Sequence, residues 1–199
     1  AIRGTELESR LNVYREETIA AIVTAPGEGG VSIIRLSGPD AFPIANRLFT
    51  GTGAPPSERP AGTFVHGFIQ DAGATVDEVL LLIMRAPHSY TREDVVEIHG
   101  HGGPTVARHI LRMALNAGAR PAEPGEFTRR AFLNGRMDLV QAEAVLDLIK
   151  SRSERAAFAA AEQLQGSLSS CISIIYDKSM LVSADLEATL DFVEDDLPD

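Results

Sequence analysis

The stretch EPGEFTRRAFLNGRMDLVQAEAVLDLI (Glu123–Ile149) decides how the chain is divided, because one structural pattern ends within it and another begins. It predicts a short helix over Glu126–Leu133 that stops at an Asn-Gly pair ending at Gly135. Asp138 then has the features of an N-cap, and Gln141, three residues further on, completes a capping box. We therefore expect a turn near Gly135 and a new helix after it.

The chain beyond this turn has a helical pattern. A longer helix is predicted over Ser167–Phe192, where two seven-residue repeats form a seam typical of a helix bundle. Two helices make an incomplete bundle, so we expect a fragment or a protein completed by a partner. The apolar stripe of the first helix consists of Leu139, Ala142, Leu146 and Ile149.

The chain before the turn mixes strands and helices. Helical spacing predicts one helix from Pro39 to Phe49 and another over Pro104–Ala117. The strands lack the regular spacing of βαβ units, so we predict an α+β fold with a mixed sheet. Alternating and β-branched runs predict strands at Thr18–Ala25, Val31–Ser37, Thr63–Ile69, Glu78–Met84 and Val95–His99.

The composition excludes several classes of protein. With 199 residues, 44% hydrophobic and 23% charged, the chain has the composition of a globular protein. A net charge of −10 argues against a nucleic-acid clamp. Six arginines against two glutamates between Pro104 and Met137 favour an anionic ligand in that region. No apolar run is long enough to cross a membrane, and the single Cys171 is typical of a cytoplasmic protein, which is the location we expect.

Three charged residues are candidates for a binding site, and two of them lie in strands among aliphatic residues. Arg35 shares a strand face with Val31 and Ile33, and an arginine among aliphatic side chains usually has a fixed partner. Glu97 lies within a Val/Ile-rich strand; it is either a solvent-facing strand residue or a partly buried carboxylate suited to two N–H groups of an amino-substituted heterocycle. Arg136, in the turn, is the second cationic candidate.

Other motifs give weaker signals. The Gly-rich segment Gly27–Gly30 is either a tight turn, which we favour, or an anion-binding loop. His99 and His101 have no third metal ligand at recognisable spacing, so we predict hydrogen bonds at a strand end and no metal site. The sequence has no P-loop and suggests no catalytic residue.

Three motifs in order resemble the N-terminal half of the MnmE family, also called TrmE, the tRNA-modification GTPases of bacteria and organelles. The resemblance extends from Glu17 to Asp199. The motifs are TIAAIVTAPGEGGVSIIRLSG from Thr18, YTREDVVEIHGHGGP from Tyr90 and PGEFTRRAFLNGRMDLVQAEAVLDLI from Pro124, followed by LQGSLS from Leu164.

This resemblance implies a tetrahydrofolate-binding-type domain that forms a homodimer and binds a 5-formyl-tetrahydrofolate-type cofactor. Arg35 in GVSIIRLSG, Glu97 in DVVEIHGHGG and Arg136 in LNGRMDL match the family's folate contacts. Glu97 would pair with the amino and ring N–H groups of the pterin. The arginines would meet polar oxygens or the glutamate tail.

The resemblance also implies two domains: a folate-binding and dimerisation domain over residues 17–134, and the first helices of a central helical domain over residues 135–199. The family's G domain, with its GTP, potassium and magnesium, is absent from this chain, as is the family's C-terminal C-x-G-K sequence. The family acts with an MnmG-type flavoprotein to modify C5 of the wobble uridine in tRNA, which is bound through the full complex.

Two rival functions belong to other classes. One is a free-standing one-carbon folate transferase, against which the incomplete bundle argues. The other is a ligand-free interaction module in which the arginines connect subunits, and folate that co-purifies with the protein would exclude it. Direct RNA binding is the weakest alternative, because aromatic and basic residues are not interleaved.

Overall fold

A computed structural model describes residues 17–191, which form two compact units divided between Arg136 and Met137. Within the described residues, the first unit contains three α-helices, α1 (Ala41–Leu48), α2 (Pro104–Asn116) and α3 (Glu126–Leu133), and a short 3-10 helix at Pro56–Glu58. Its strands are β1 (Ile19–Ile22), β2 (Gly29–Ser37), β3 (Phe49–Gly51), β4 (Thr63–Asp71), β5 (Ala74–Met84), β6 (Val95–Gly102) and β7 (Arg120–Pro121).

The seven strands form one mixed sheet in the order β3-β4-β5-β6-β2-β1-β7. Neighbouring strands are antiparallel except β1 and β7, which are parallel. The predicted α+β fold with a mixed sheet is therefore confirmed. The sequence did not predict β3 and β7, because strands of three and two residues are too short to show an alternating pattern.

The two faces of the sheet differ, as the alternation along β2 predicts. Ile34 and Leu36 are fully buried, whereas Arg35 between them lies on the other face and is partly exposed. Helices α1 and α2 pack on the buried face, with α2 contributing Ile110 and small residues at helical spacing. We call the opposite side of the sheet the open face. Arg35 and Glu97 lie there.

The hairpin of β4 and β5 is longer than the sequence predicts. The two strands are joined by Ala72 and Gly73, both with positive φ (48° and 85°), which is the backbone of a tight two-residue hairpin turn. Asp77 interrupts the apolar pattern of β5. The sequence pattern therefore did not reveal the part of the strand that precedes Glu78. The buried carboxylate of Asp77 accepts backbone N–H bonds from Glu78 and His101, so the charge is tolerated inside the strand.

The second unit contains three helices among its described residues, not the two predicted: α4 (Leu139–Lys150), α5 (Glu154–Leu164) and α6 (Ser167–Asp191). Helix α5 is rich in alanine, which favours helix by propensity, but Phe158 and Leu164 are its only large apolar side chains, so no apolar stripe was recognised in the sequence. The predicted capping box of Asp138 and Gln141 is confirmed. The predicted helix end at Phe192 lies outside the described residues.

Large apolar side chains of this second unit are strongly exposed within the described chain. Ile149 is 75% exposed, Phe158 70% and Leu181 66%. None of the helices described over residues 17–191 combines the length and the apolar character that crossing a bilayer requires.

Candidate functional site

Arg35 and Glu97 face each other across the pair of strands β2 and β6. The Arg35 Nε–H donates to Glu97 Oε1 at 2.7 Å. The side chains are only 20% and 10% exposed, so this ion pair is largely shielded from water. The antiparallel register brings the two anomalous charges of the sequence together on the open face.

The ring of Tyr90 brings the third candidate into this group. The guanidinium carbon of Arg35 lies 5.1 Å from the ring centroid and that of Arg136 lies 4.7 Å from the same centroid. Phe127 adds a second ring 5.3 Å from the Arg35 guanidinium. Both distances to Tyr90 are in the range of cation–π contacts, so one aromatic ring connects the two arginines. We call Arg35, Glu97, Tyr90, Phe127 and Arg136 the open cluster.

Helix α3 and the loop before β6 hold the aromatic rings in place. The hydroxyl of Tyr90, in that loop, is hydrogen-bonded to Thr128 of α3 at 2.9 Å. Phe127 precedes Thr128 on the same helix. After α3, Gly135 takes a positive φ of 70°, which ends the helix and places Arg136 immediately beyond the turn.

A second group of charges lies around the start of α3, and its central pair is almost completely buried. Glu126 is 1% exposed and Arg130 2%. Arg120 donates to both oxygens of Glu126, at 2.7 and 3.1 Å, and Arg130 donates to Glu126 Oε1 at 3.2 Å. Burial opposes ionisation of Glu126, but the hydrogen bonds from Arg120 and from the Glu123 backbone N–H outweigh it and lower its pKa to about 2.

The buried charges extend to the end of β2. Arg130 donates to both oxygens of Glu93 at 3.1 Å. The hydroxyl of Ser37 donates to Glu93 at 2.6 Å and is hydrogen-bonded to Thr91. We call Ser37, Glu93, Arg120, Glu126 and Arg130 the closed cluster. The sequence did not predict this cluster, because its members come from elements that are distant in sequence.

The histidines form hydrogen bonds, as predicted. His99 Nε2 lies 3.0 Å from Glu97 Oε2, and His101 Nδ1 lies 2.6 Å from Asp77 Oδ1. The hydrogen bond with Asp77 and the charge of its carboxylate raise the pKa of His101. Over residues 17–191 there is no group of three or more His, Cys, Asp or Glu side chains arranged to hold a metal ion.

The Gly-rich turn lies apart from the open cluster. Its residues line a cavity of about 590 Å³ together with Pro104 and Arg108 at the start of α2. Gly27 has a φ of 134°, a conformation that suits glycine and is consistent with a tight turn.

The chemistry of the open cluster fits a flat, polar ligand. A carboxylate accepts N–H groups, guanidinium groups bind carboxylates and carbonyl oxygens, and aromatic rings pack against planar heterocycles. Within the described chain, the Arg136 guanidinium makes no hydrogen bond or ion pair, and the Arg35 guanidinium donates through Nε alone. The remaining guanidinium donors are thus available to an anionic group.

The fold defines the class: a mixed-sheet α+β protein continued by a helical unit. Residues 18–136 match the family described as "GTP-binding protein TrmE N-terminus", and residues 139–199 match "MnmE helical domain". The chain belongs to this family.

Curated relatives agree with this assignment. The chain is 54% identical over 181 residues to the tRNA modification GTPase MnmE of Symbiobacterium thermophilum, with 90% of this chain and 40% of the relative covered. Against the same protein of Geobacter sulfurreducens the identity is 52% over 189 residues, covering 93% and 41%. The chain thus spans about two fifths of the length of the curated relatives it matches.

Proposed function

We propose that this chain is the folate-binding and dimerising part of a tRNA-modification GTPase that, with a flavoprotein partner, modifies C5 of the wobble uridine. The observation that carries the proposal is the convergence of Arg35, Glu97 and Arg136 around Tyr90. A reduced folate, of the 5-formyl-tetrahydrofolate type, has a planar amino-bearing heterocycle at one end and carboxylates at the other. The open cluster supplies a carboxylate for the first and cations for the second.

Each side chain has a distinct role in this proposal. Glu97 accepts from the amino and ring N–H groups of the pterin, because its carboxylate is anionic and partly shielded from water. Arg35 fixes that carboxylate through Nε and turns its other donors to the ligand. Arg136, exposed beyond α3, meets the glutamate tail or the polar oxygens of the folate.

Calorimetry with 5-formyl-tetrahydrofolate tests the site. We expect the wild-type protein to bind and both Arg35→Ala and Glu97→Gln to bind at least tenfold more weakly, since each loses a charge-assisted hydrogen bond. Arg112→Ala is the matched control, because Arg112 is exposed on α2, on the other side of the sheet. Equal affinities of wild type and Arg35→Ala would remove Arg35 from the site.

Exposed apolar residues on the open face support homodimerisation. Val31 is 55% exposed, Phe64 58% and Leu80 45%, on three strands of one sheet. Burying such residues against a second copy is favourable by about 25 cal/mol per Å² of apolar area. We expect Leu80→Asp to yield monomers in sedimentation experiments, and Thr105→Asp, the same charge introduced on α2, to remain dimeric. A dimeric Leu80→Asp variant would show that this part of the open face is not in the dimer interface.

The domain assignment is also part of the proposal: residues 17–134 for folate binding and dimerisation, and residues 135–199 for the first helices of a central helical domain. The exposed apolar side chains of α4 to α6 support a helical domain completed by further chain. We assign GTP hydrolysis, with its potassium and magnesium, to the three fifths of the relatives that this chain does not match.

The cellular role has its own test. Replacing a full-length gene by its Arg35→Ala version should deplete C5-modified wobble uridine in total tRNA, measured by mass spectrometry of nucleosides.

Native mass spectrometry of the purified chain separates the rival functions: a folate-sized adduct excludes the ligand-free interaction module. One-carbon transfer by the isolated chain would favour the free-standing transferase.

A further inference from the structure

Glu97 has a second protein partner besides Arg35. His99 lies two residues further along β6, and its Nε2 is 3.0 Å from Glu97 Oε2, the oxygen that Arg35 does not contact. The ring centroids of His99 and Phe64 lie 5.9 Å apart with an interplanar angle of 87°, an edge-to-face arrangement. The His99 side chain is 22% exposed, so it is largely buried between these two partners and the sheet.

The two partners together determine what Glu97 can still bind. A carboxylate has about two acceptor positions on each oxygen. Arg35 occupies one on Oε1 and His99 one on Oε2, which leaves one on each oxygen. A pair of adjacent N–H groups needs one acceptor position on each carboxylate oxygen. Donors on both oxygens also restrict rotation of the carboxylate, so the arrangement exists before a ligand arrives.

We propose that His99 is a positioning residue of the folate site: it donates Nε2–H to Glu97 and holds the carboxylate in the orientation that receives the pterin N–H pair. The inference rests on the proposed folate function and deepens it. His99 acts through Glu97 and does not itself touch the ligand.

The other histidine–carboxylate pairs do not have this arrangement. Asp77 Oδ1 is bonded to the Glu78 backbone N–H and the His101 ring, and Oδ2 accepts from the His101 backbone N–H, so Oδ1 has no acceptor position left for a ligand. His109 pairs with Asp71, which is 51% exposed. Among the histidine–carboxylate pairs that the structure describes, Glu97 is the only acceptor also bound by an arginine.

Two substitutions distinguish the effect of the His99 N–H donor from the effect of its imidazole ring. His99→Gln keeps an N–H donor at similar reach, and His99→Leu removes it. By calorimetry with 5-formyl-tetrahydrofolate we expect His99→Leu to bind about tenfold more weakly and His99→Gln to stay within about threefold of wild type. His109→Leu, which breaks a comparable pair on α2, should leave affinity unchanged. Urea unfolding identifies any variant that has lost its fold.

The ligand-free protein provides a second measurement. Imidazole ¹⁵N chemical shifts should show His99 protonated at Nε2 and unprotonated at Nδ1 in the neutral ring, and Glu97→Ala should abolish this preference. Equal weakening by His99→Gln and His99→Leu, or the opposite tautomer, would overturn the donor role.

The outcomes also distinguish the two proposals. Wild-type affinity in His99→Leu together with weak binding by Arg35→Ala would overturn the role of His99 and leave the folate site intact. If the wild-type protein binds no reduced folate, both proposals fail.

Discussion

The closed and open clusters both consist of arginine paired with glutamate, and both lie in the first unit. They differ in how many hydrogen-bonding atoms of these charged groups have partners within the protein. In the closed cluster Glu126 and Arg130 are almost inaccessible, and both oxygens of Glu126 accept from arginine. In the open cluster the two arginines lie over an aromatic ring and keep unused donors within the described chain. Within the closed cluster, Arg130 Nε is buried without a hydrogen-bond partner, so this cluster is nearly but not completely paired with protein groups. Charges paired within the protein indicate a structural role, and several unused donors on a partly shielded face indicate a ligand.

The closed cluster also supports the open one. Glu126 and Arg130 fix helix α3 against the loop before β6, through Glu93, and against the backbone carbonyl of Glu17. The same helix carries Phe127 and leads to Arg136. Rigid placement of the ligand-side residues therefore depends on buried charges that never face the ligand.

The largest effect on folding is expected from Glu126→Gln. Removing this charge leaves Arg120 without its bidentate acceptor and the buried Arg130 short of one partner, which should cost about 3 to 5 kcal/mol in the free energy of unfolding, measured by urea titration. Glu123→Gln is the matched control: this carboxylate is 54% exposed, and we expect a change of no more than about 0.5 kcal/mol. Similar losses in both variants would contradict the structural role of the closed cluster.

Acid should weaken the closed cluster next. Because the folded-state pKa of Glu126 is lowered from 4.5 to about 2, its ionisation contributes stability above pH 4.5 that is lost as the pH falls towards 2. That shift corresponds to about 3 kcal/mol. Unfolding free energies measured between pH about 6 and about 2 should show the difference between wild type and Glu126→Gln shrinking as the pH falls. If the difference in unfolding free energy between the two proteins did not depend on pH, this explanation would be wrong.

A smaller loss is expected where the closed cluster meets β2. Ser37 is fully buried and donates to Glu93 at 2.6 Å. Ser37→Ala removes that donor and should lower the unfolding free energy by about 1 to 2 kcal/mol. Ser89→Ala is a suitable comparison, because its hydroxyl bonds a backbone carbonyl in a partly buried loop and its loss should cost less. The order of the two losses in urea titrations checks the ranking.

The sequence predicted the open cluster better than the closed one, and the reason is geometric. Strand alternation exposes a misplaced charge, so Arg35 and Glu97 could be recognised without a structure. Tyr90 has no such signal, because its place depends on a loop packing beside α3. The burial of Arg130 likewise depends on Glu93, which is distant in sequence. Local patterns predicted α3 and the capping box of α4, but not α5, which has only two large apolar side chains among its alanines.

The smallest effect on folding is expected from Arg136→Ala. Its guanidinium is exposed and contacts the Tyr90 ring, a contact that contributes about 0.5 kcal/mol at such a position, so the urea midpoint should barely change. Affinity for 5-formyl-tetrahydrofolate should nevertheless fall about tenfold, because a cation facing an anionic tail is lost. Arg130→Ala should instead cause a large loss of stability, because the buried acids are left unpaired. If Arg136→Ala destabilised the fold as much as Arg130→Ala, the number of guanidinium donors occupied by protein acceptors would not distinguish ligand-binding from structural arginines in this domain.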